Sequence, residues 1–186
     1  MERERDRLNS APPDTARLFF ALWPEPGIQQ AFEQIARELR FECGGRATPR
    51  QNIHATLVFL GEVERALVPR VEALAADLSG TRFELRFDKV QYWRHNHIVW
   101  AGADHCPGAL DTLVARLGTA LRKSEFTIDE RPFMPHVTLV RDAHRPPMEG
   151  RAAAVTWPVP EFALVESVPR EGKRVYEILR AYPLGT

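Results

Sequence analysis

Cysteine is scarce in this 186-residue chain, which has only Cys43 and Cys106. That excludes a small disulfide-stapled scaffold and points to a reducing compartment, the cytoplasm. A surplus of either charge is also missing: 25 Lys and Arg stand against 25 Asp and Glu, and the pI is near 7.0. Nothing global marks the chain for bulk nucleic-acid binding, so any basic surface must be local. No apolar run approaches the roughly 20 residues of a membrane-spanning helix, and no membrane partner is expected. A Gly-rich phosphate loop, a His-Glu-x-x-His or paired-cysteine spacing, a nucleophile elbow, heptads and low-complexity segments are all missing.

What is present is a short pattern that occurs twice, His54-Ala55-Thr56-Leu57 and His136-Val137-Thr138-Leu139, nearly half a chain length apart. Each copy sits in an apolar, β-branched run, Ile53 to Leu60 in one and His136 to Val140 in the other. Such runs read as strands, in which residues i and i+2 share a face. His54 and Thr56 are expected on one face, and likewise His136 and Thr138. Ala55, Leu57, Val137 and Leu139 then face a core.

The surrounding pattern repeats as well. Arg17 to Trp23 reads as a buried strand stopped by Pro24. A helix follows, with Pro24 and Pro26 near its start and an apolar stripe of Ile28, Phe32, Ile35, Ala36 and Leu39. Gly44-Gly45 breaks it before the first His-x-Thr strand. In the second half, His97 to Ala101 reads as a strand and Pro107 opens a helix striped by Leu110, Leu113, Val114, Leu117 and Leu121, ahead of the second His-x-Thr strand. The spacing from Phe19 to His54 matches that from Val99 to His136 within two residues. A duplicated strand–helix–strand unit is the simplest explanation.

A further helix is expected from Leu67 to Leu78, entered after Gly61. Arg82 to Trp93 reads as one strand or two. Glu161–Val165 and Arg174–Leu179 read as a closing hairpin across Pro169 to Lys173. Strands and helices mix without strict alternation, which favours α+β. The charged segment Met1 to Arg7 lacks the apolar stretch of a signal peptide. Residues 1–16 read as a flexible tail, and 17–186 as a single bilobal domain.

A buried imidazole or hydroxyl needs a partner, so core packing alone would favour Val or Ile at these positions. Keeping both polar residues, twice, points to chemistry. Cleaving a cyclic phosphodiester takes a base to activate water and an acid to protonate the departing oxygen, and histidine serves either role near neutral pH. A threonine two residues on can donate to a non-bridging oxygen where charge builds. Arg141, just past the second motif, can reach a phosphate bidentately. Arg46, Arg50, Arg131, Lys173 and Arg174 are loop residues able to line a cleft, and Phe19, Trp93 and Phe133 are candidates to stack on a base. His95, His97 and His105 cluster in sequence and with His54 and His136 could form a metal site. Without ligand spacing they read as surface residues, and neither metal nor other cofactor is expected.

On these residues the chain resembles the two-histidine phosphoesterase superfamily, and within it the RNA 2′,3′-cyclic phosphodiesterase family, historically called 2′-5′ RNA ligase. The resemblance runs from about Arg17 to Leu184. It is anchored by Arg17-Leu18-Phe19-Phe20-Ala21-Leu22, by Asn52 to Val63, by the Pro-x-x-Pro lead-in and motif from Pro132 to Arg141, and by Leu164-Val165-Glu166-Ser167, with Tyr176 to Leu179 also fitting. It implies a two-lobed, pseudo-twofold α+β fold, with antiparallel or mixed sheets flanking a central cleft and helices outside. It implies metal-independent hydrolysis of RNA 2′,3′-cyclic phosphate ends to 2′-phosphate ends, with reverse 2′-5′ joining as a second activity. By match, His54 is the proton donor to the leaving 3′-oxygen and His136 the proton acceptor acting on water. Thr56 and Thr138 hold the phosphate, and Arg141 matches a substrate-binding arginine, with Phe19 and Phe133 as further candidates. Residue types alone leave donor and acceptor unassigned. The expected partner is an RNA with a 2′,3′-cyclic phosphate end or a cyclic nucleotide, bound by a monomer. Two other readings are a nucleotide-binding module using the same cleft and a phosphodiesterase for a cyclic phosphate outside RNA, such as one derived from ADP-ribose.

Overall fold

A computed structural model describes residues 14–185. Most of the expected tail, residues 1–13, lies outside them, as does Thr186. The first strand, β1 (Thr15–Leu22), begins two residues before the expected Arg17, and Ala16 is buried opposite Val63.

Helix α1 (Pro26–Cys43) starts with Pro26 in its first turn, where the missing N–H costs nothing. It buries Phe32, Ala36, Leu39 and Cys43 and ends at Gly44, whose positive φ of 74° lets its N–H close on the Arg40 carbonyl. A two-residue strand, β2 (Arg46–Ala47), and a 3-10 turn (Arg50–Asn52) then deliver the chain to β3 (Ala55–Glu64). Gly61 was expected to end this strand. Instead, at φ 75°, it lies within β3 beside a bulge where Leu18 opposes Gly61 and Phe19 opposes Phe59. Helix α2 (Val68–Ala76) consequently begins only after a 3-10 turn.

The segment Arg82 to Trp93 divides into β4 (Phe83–Phe87) and β5 (Lys89–Trp93), which join different sheets. Next come β6 (Ile98–Gly102), α3 (Gly108–Lys123) and β7 (His136–Arg141). Helix α3 buries Leu110, Leu113, Leu117 and Leu121, with Asp111 in its first turn and Arg122 and Lys123 in its last, each on the side its dipole favours. Among the described residues strand β8 (Val155–Val159) pairs with β4 alone, so Pro158 sits on an edge strand, where its missing N–H is tolerated. The closing hairpin is longer than expected: β9 (Glu161–Arg170) and β10 (Lys173–Pro183) join through Glu171-Gly172, both at positive φ, as a type I′ turn requires.

The architecture is α+β. One sheet has the order β10-β9-β1-β3, a second β2-β7-β6-β5, and β4-β8 form a small third. Every named strand pair is antiparallel. The duplicated unit appears as β1–α1–β3 and β6–α3–β7, each with its two strands side by side. The helices exchange sheets: α1 packs against β2 and β7, and α3 against β3. One hydrophobic core therefore runs through both units, from Phe20 and Leu22 to Val99 and Val137. A smaller cluster of Phe19, Ala21, Ala163 and Val165 covers the opposite face of the first sheet.

Candidate active site

Alternation along β3 and β7 puts Ala55, Leu57, Val137 and Leu139 in the core. His54, Thr56, His136 and Thr138 are left half-buried on the other face. All four line a single cleft of about 200 Å³, together with Arg131 and Arg141. Trp93, Asn96 and Ile98, from the β5–β6 hairpin, complete its wall.

The two histidines are held alike. His54 Nδ1 lies 2.7 Å from the Asn52 carbonyl oxygen and His136 Nδ1 lies 2.8 Å from that of Met134. A carbonyl only accepts, so each Nδ1 carries a hydrogen and donates it, leaving Nε2 as the nitrogen available for proton exchange. Local sequence makes both bonds. The Arg50–Asn52 turn presents the Asn52 carbonyl while the Asn52 amide donates to Arg174 O at 3.1 Å, and Pro135 leads in from the Met134 carbonyl.

Aromatic rings pack around both imidazoles. Trp23 stacks on His54 at 5.4 Å and 8°, with Tyr176 edge-on at 5.0 Å and Phe19 beneath at 5.1 Å. His136 meets Trp93 edge-on at 4.8 Å and Trp100 at 6.0 Å. Burial pushes His54 down to about 4, and the charges of Arg141 and His136 act in the same direction, against the Asn52 hydrogen bond. His136 is lowered too, first by burial and then by Arg131 and Arg141, against the Met134 bond. Both shifts favour the neutral imidazole.

Arg141 and Arg131 bring positive charge to the cleft. Asp142, next to Arg141, pairs instead with Arg46 at 2.9 Å. Arg131 is clamped by Asp129 through bonds of 3.0 and 2.9 Å, which hold the Asp129 carboxyl below its ordinary range. The Asp129 N–H donates to Phe59 O, so this loop is tied to β3.

Several sequence candidates lie elsewhere. Phe19 is 3 % exposed and supports His54 from below, so it has no face free for a base. Phe133 is half-buried against the core and does not line the cleft. Arg50 donates to Pro26 O and Arg174 to Ser167, and neither they, Arg46 nor Lys173 line it. His95, His97 and His105 are exposed, with His97 held by the Tyr92 hydroxyl at 2.8 Å. Among the described residues no three His, Cys, Asp or Glu side chains converge as metal ligands. Asn96, Ile98 and the rings of Trp23, Tyr176 and Trp100 were not singled out by sequence, since each reaches the site through tertiary packing rather than a motif.

The chain is similar to known proteins along most of its length. The family described as LigT like Phosphoesterase matches residues 22–100. The RNA 2′,3′-cyclic phosphodiesterase of Escherichia coli (strain K12) is 33% identical over 174 residues, covering 90% of this chain and 96% of that protein. The protein of the same name from Thermus thermophilus is 29% identical, covering 90% of each. Crystal structures of E. coli LigT superpose with a TM-score of 0.81 for the apo form and 0.82 for the complex with 3′-AMP, covering 93% and 92% of this chain and 99% of theirs. The sequence identities in these superpositions are 30% and 29%. With its paired motifs in one cleft and this similarity along nearly its whole length, the chain belongs to the LigT-like phosphoesterase family.

Proposed function

We propose that this chain hydrolyses RNA 2′,3′-cyclic phosphate ends to 2′-phosphomonoesters, with His54 and His136 as acid and base and without a metal. The observation that carries the reading is the pair of identically held imidazoles facing one phosphate-sized, arginine-lined cleft. His136 Nε2 takes a proton from water as its oxygen bonds to phosphorus. The bond from phosphorus to O3′ breaks, and His54 Nε2–H gives its proton to that oxygen. The ring that gained a proton and the ring that lost one then exchange with solvent. Thr56 and Thr138 donate to the non-bridging oxygens, and Arg141 and Arg131 offset the charge that builds there. Hydrogen-bond donors and arginines supply the charge stabilisation for which other phosphoesterases use cations.

His54 is neutral in the free protein at pH 7, so the acid must gain its proton together with the substrate. A bound phosphodiester anion provides for this, because its negative charge opposes the Arg141 field and favours the imidazolium. With the 5′-hydroxyl of a second RNA end in place of water, the same proton transfers form a 2′-5′ phosphodiester as the bond from phosphorus to O3′ breaks, which accounts for 2′-5′ ligation as a secondary activity. The substrate is an RNA end or a small 2′,3′-cyclic nucleotide, and the chain acts as a cytoplasmic monomer.

The test is hydrolysis of 2′,3′-cyclic AMP in excess EDTA, with the product identified. Undiminished formation of 2′-AMP supports the reading. Loss of activity restored by zinc or manganese, or formation of 3′-AMP, would overturn it.

A further inference from the structure

Trp100 and Gly102 face the same side of β6 as the cleft, and their cross-strand partners on β7 are Thr138 and His136. The Trp100 indole folds back along its own strand over Gly102. A Cβ built on Gly102 would overlap Cζ3 of that ring and lie 3.2 and 3.3 Å from Cε3 and Cη2. The ring is 2 % exposed, its buried Nε1 has no partner among the described residues, and Trp93 packs on it at 4.8 Å. It therefore has no room to move aside, and no hydrogen bond fixes it where it lies. Only the missing side chain at residue 102 permits this position. Trp93 and Trp100 are also the two aromatic rings against the His136 imidazole, at 4.8 and 6.0 Å.

We propose that Gly102 is a positioning residue for His136: by admitting the Trp100 indole against the strand backbone, it sets the aromatic wall that orients the imidazole toward the phosphate. The Met134 hydrogen bond fixes one nitrogen of the ring, and a ring held at one atom can still rock about that bond. The Trp93–Trp100 pair blocks that rocking. Gly102 has no polar side chain and touches no substrate, so its part in the reaction is indirect. The inference rests on His136 being the base, as proposed above.

The test is a cycle of Gly102→Ala, Trp100→Phe and the double variant. Phe lacks the outer indole atoms that would meet the new Cβ, and removing the unpartnered Nε1 breaks no hydrogen bond. Gly102→Ala should lower kcat for 2′,3′-cyclic AMP roughly 10- to 100-fold, the scale expected of a small displacement of a reacting group. The factor should be the same for a p-nitrophenyl phosphodiester, as the loss of a base requires. The His136 ring resonances should move in the NMR spectrum while those of His54 stay in place. The double variant should recover most of the kcat that Gly102→Ala loses. Where Gly102→Ala fails to fold, a double variant that folds and keeps the kcat of Trp100→Phe gives the same support, and one that folds with kcat well below that of Trp100→Phe overturns it. Unmoved His136 resonances in a folded Gly102→Ala, or no recovery in the double variant, overturns the positioning role. Full activity of His136→Ala would instead overturn the underlying reading of the base, and the ring resonances keep the two failures apart.

Discussion

His54 and His136 each donate Nδ1–H to the main-chain carbonyl two residues upstream, at 2.7 and 2.8 Å. Among the described residues neither side chain bonds a carboxylate, so none of them makes either Nε2 more basic through a buried negative charge. Burial and the nearby arginines instead weaken both rings as bases. Both shifts favour the neutral imidazole, and in the proposed mechanism the difference between the two roles comes from which side of the phosphorus each ring faces.

The His54 shift has a sign that stability measurements can read. Its folded value of about 4 lies below the ordinary 6.5. Below pH 6.5 the unfolded chain therefore takes up a proton that the folded chain refuses. This group leaves stability unchanged above pH 6.5 and withdraws it as the pH falls toward 4, by about 3 kcal/mol across the full shift. His136 acts in the same direction. Urea unfolding of His54→Gln, which cannot titrate, should lose markedly less stability than the wild type between pH 6.5 and 4. Parallel losses in the two proteins would contradict the burial argument.

Anion binding should carry protons into the cleft. Sulfate does not titrate between pH 5 and 8, so any protons taken up on binding belong to the protein. Calorimetry in buffers of different ionisation enthalpy should show net uptake below neutrality, with affinity falling as pH rises. Binding without proton uptake would mean that the anion does not raise His54.

Arg141 lowers both histidines, though burial is the larger cause for each. Arg141→Gln should raise both imidazole pKa values in an NMR titration and at the same time weaken sulfate binding. Stronger binding, or a fall in either pKa, would place the guanidinium outside the phosphate site.

The geometry of the candidate site was legible in sequence wherever it depended on strand parity. One period-2 pattern, repeated, placed His54, Thr56, His136 and Thr138 on a shared face, and Arg141 followed at the strand end. It was not legible where it depended on packing between distant elements. Phe19 has the composition of a base-stacking residue, but β1 lies beside β3, and that adjacency turns the ring inward beneath His54. Arg131 looked like any loop arginine until Asp129, tied to Phe59, fixed it at the cleft. In the fold, the strand with Pro158 was hidden because proline argues against a central strand and says little about an edge. The two-residue β2 carries no periodic signal at all. The exchange of α1 and α3 between sheets follows from which sheet each apolar stripe meets, and the stripes themselves look alike.

The division of labour between the histidines is tested most directly by changing the leaving group. His54→Ala and His136→Ala should each lower kcat/KM for 2′,3′-cyclic AMP by on the order of 10²–10⁴, the usual worth of general acid–base catalysis. Both variants should stay folded, since both side chains line a cleft. Departing p-nitrophenolate needs no proton, so on a p-nitrophenyl phosphodiester His54→Ala should lose far less, while His136→Ala loses the same factor on both substrates. Rescue of His136→Ala in place of His54→Ala would reverse the two roles, and full activity of either variant on the cyclic nucleotide would contradict two-histidine catalysis.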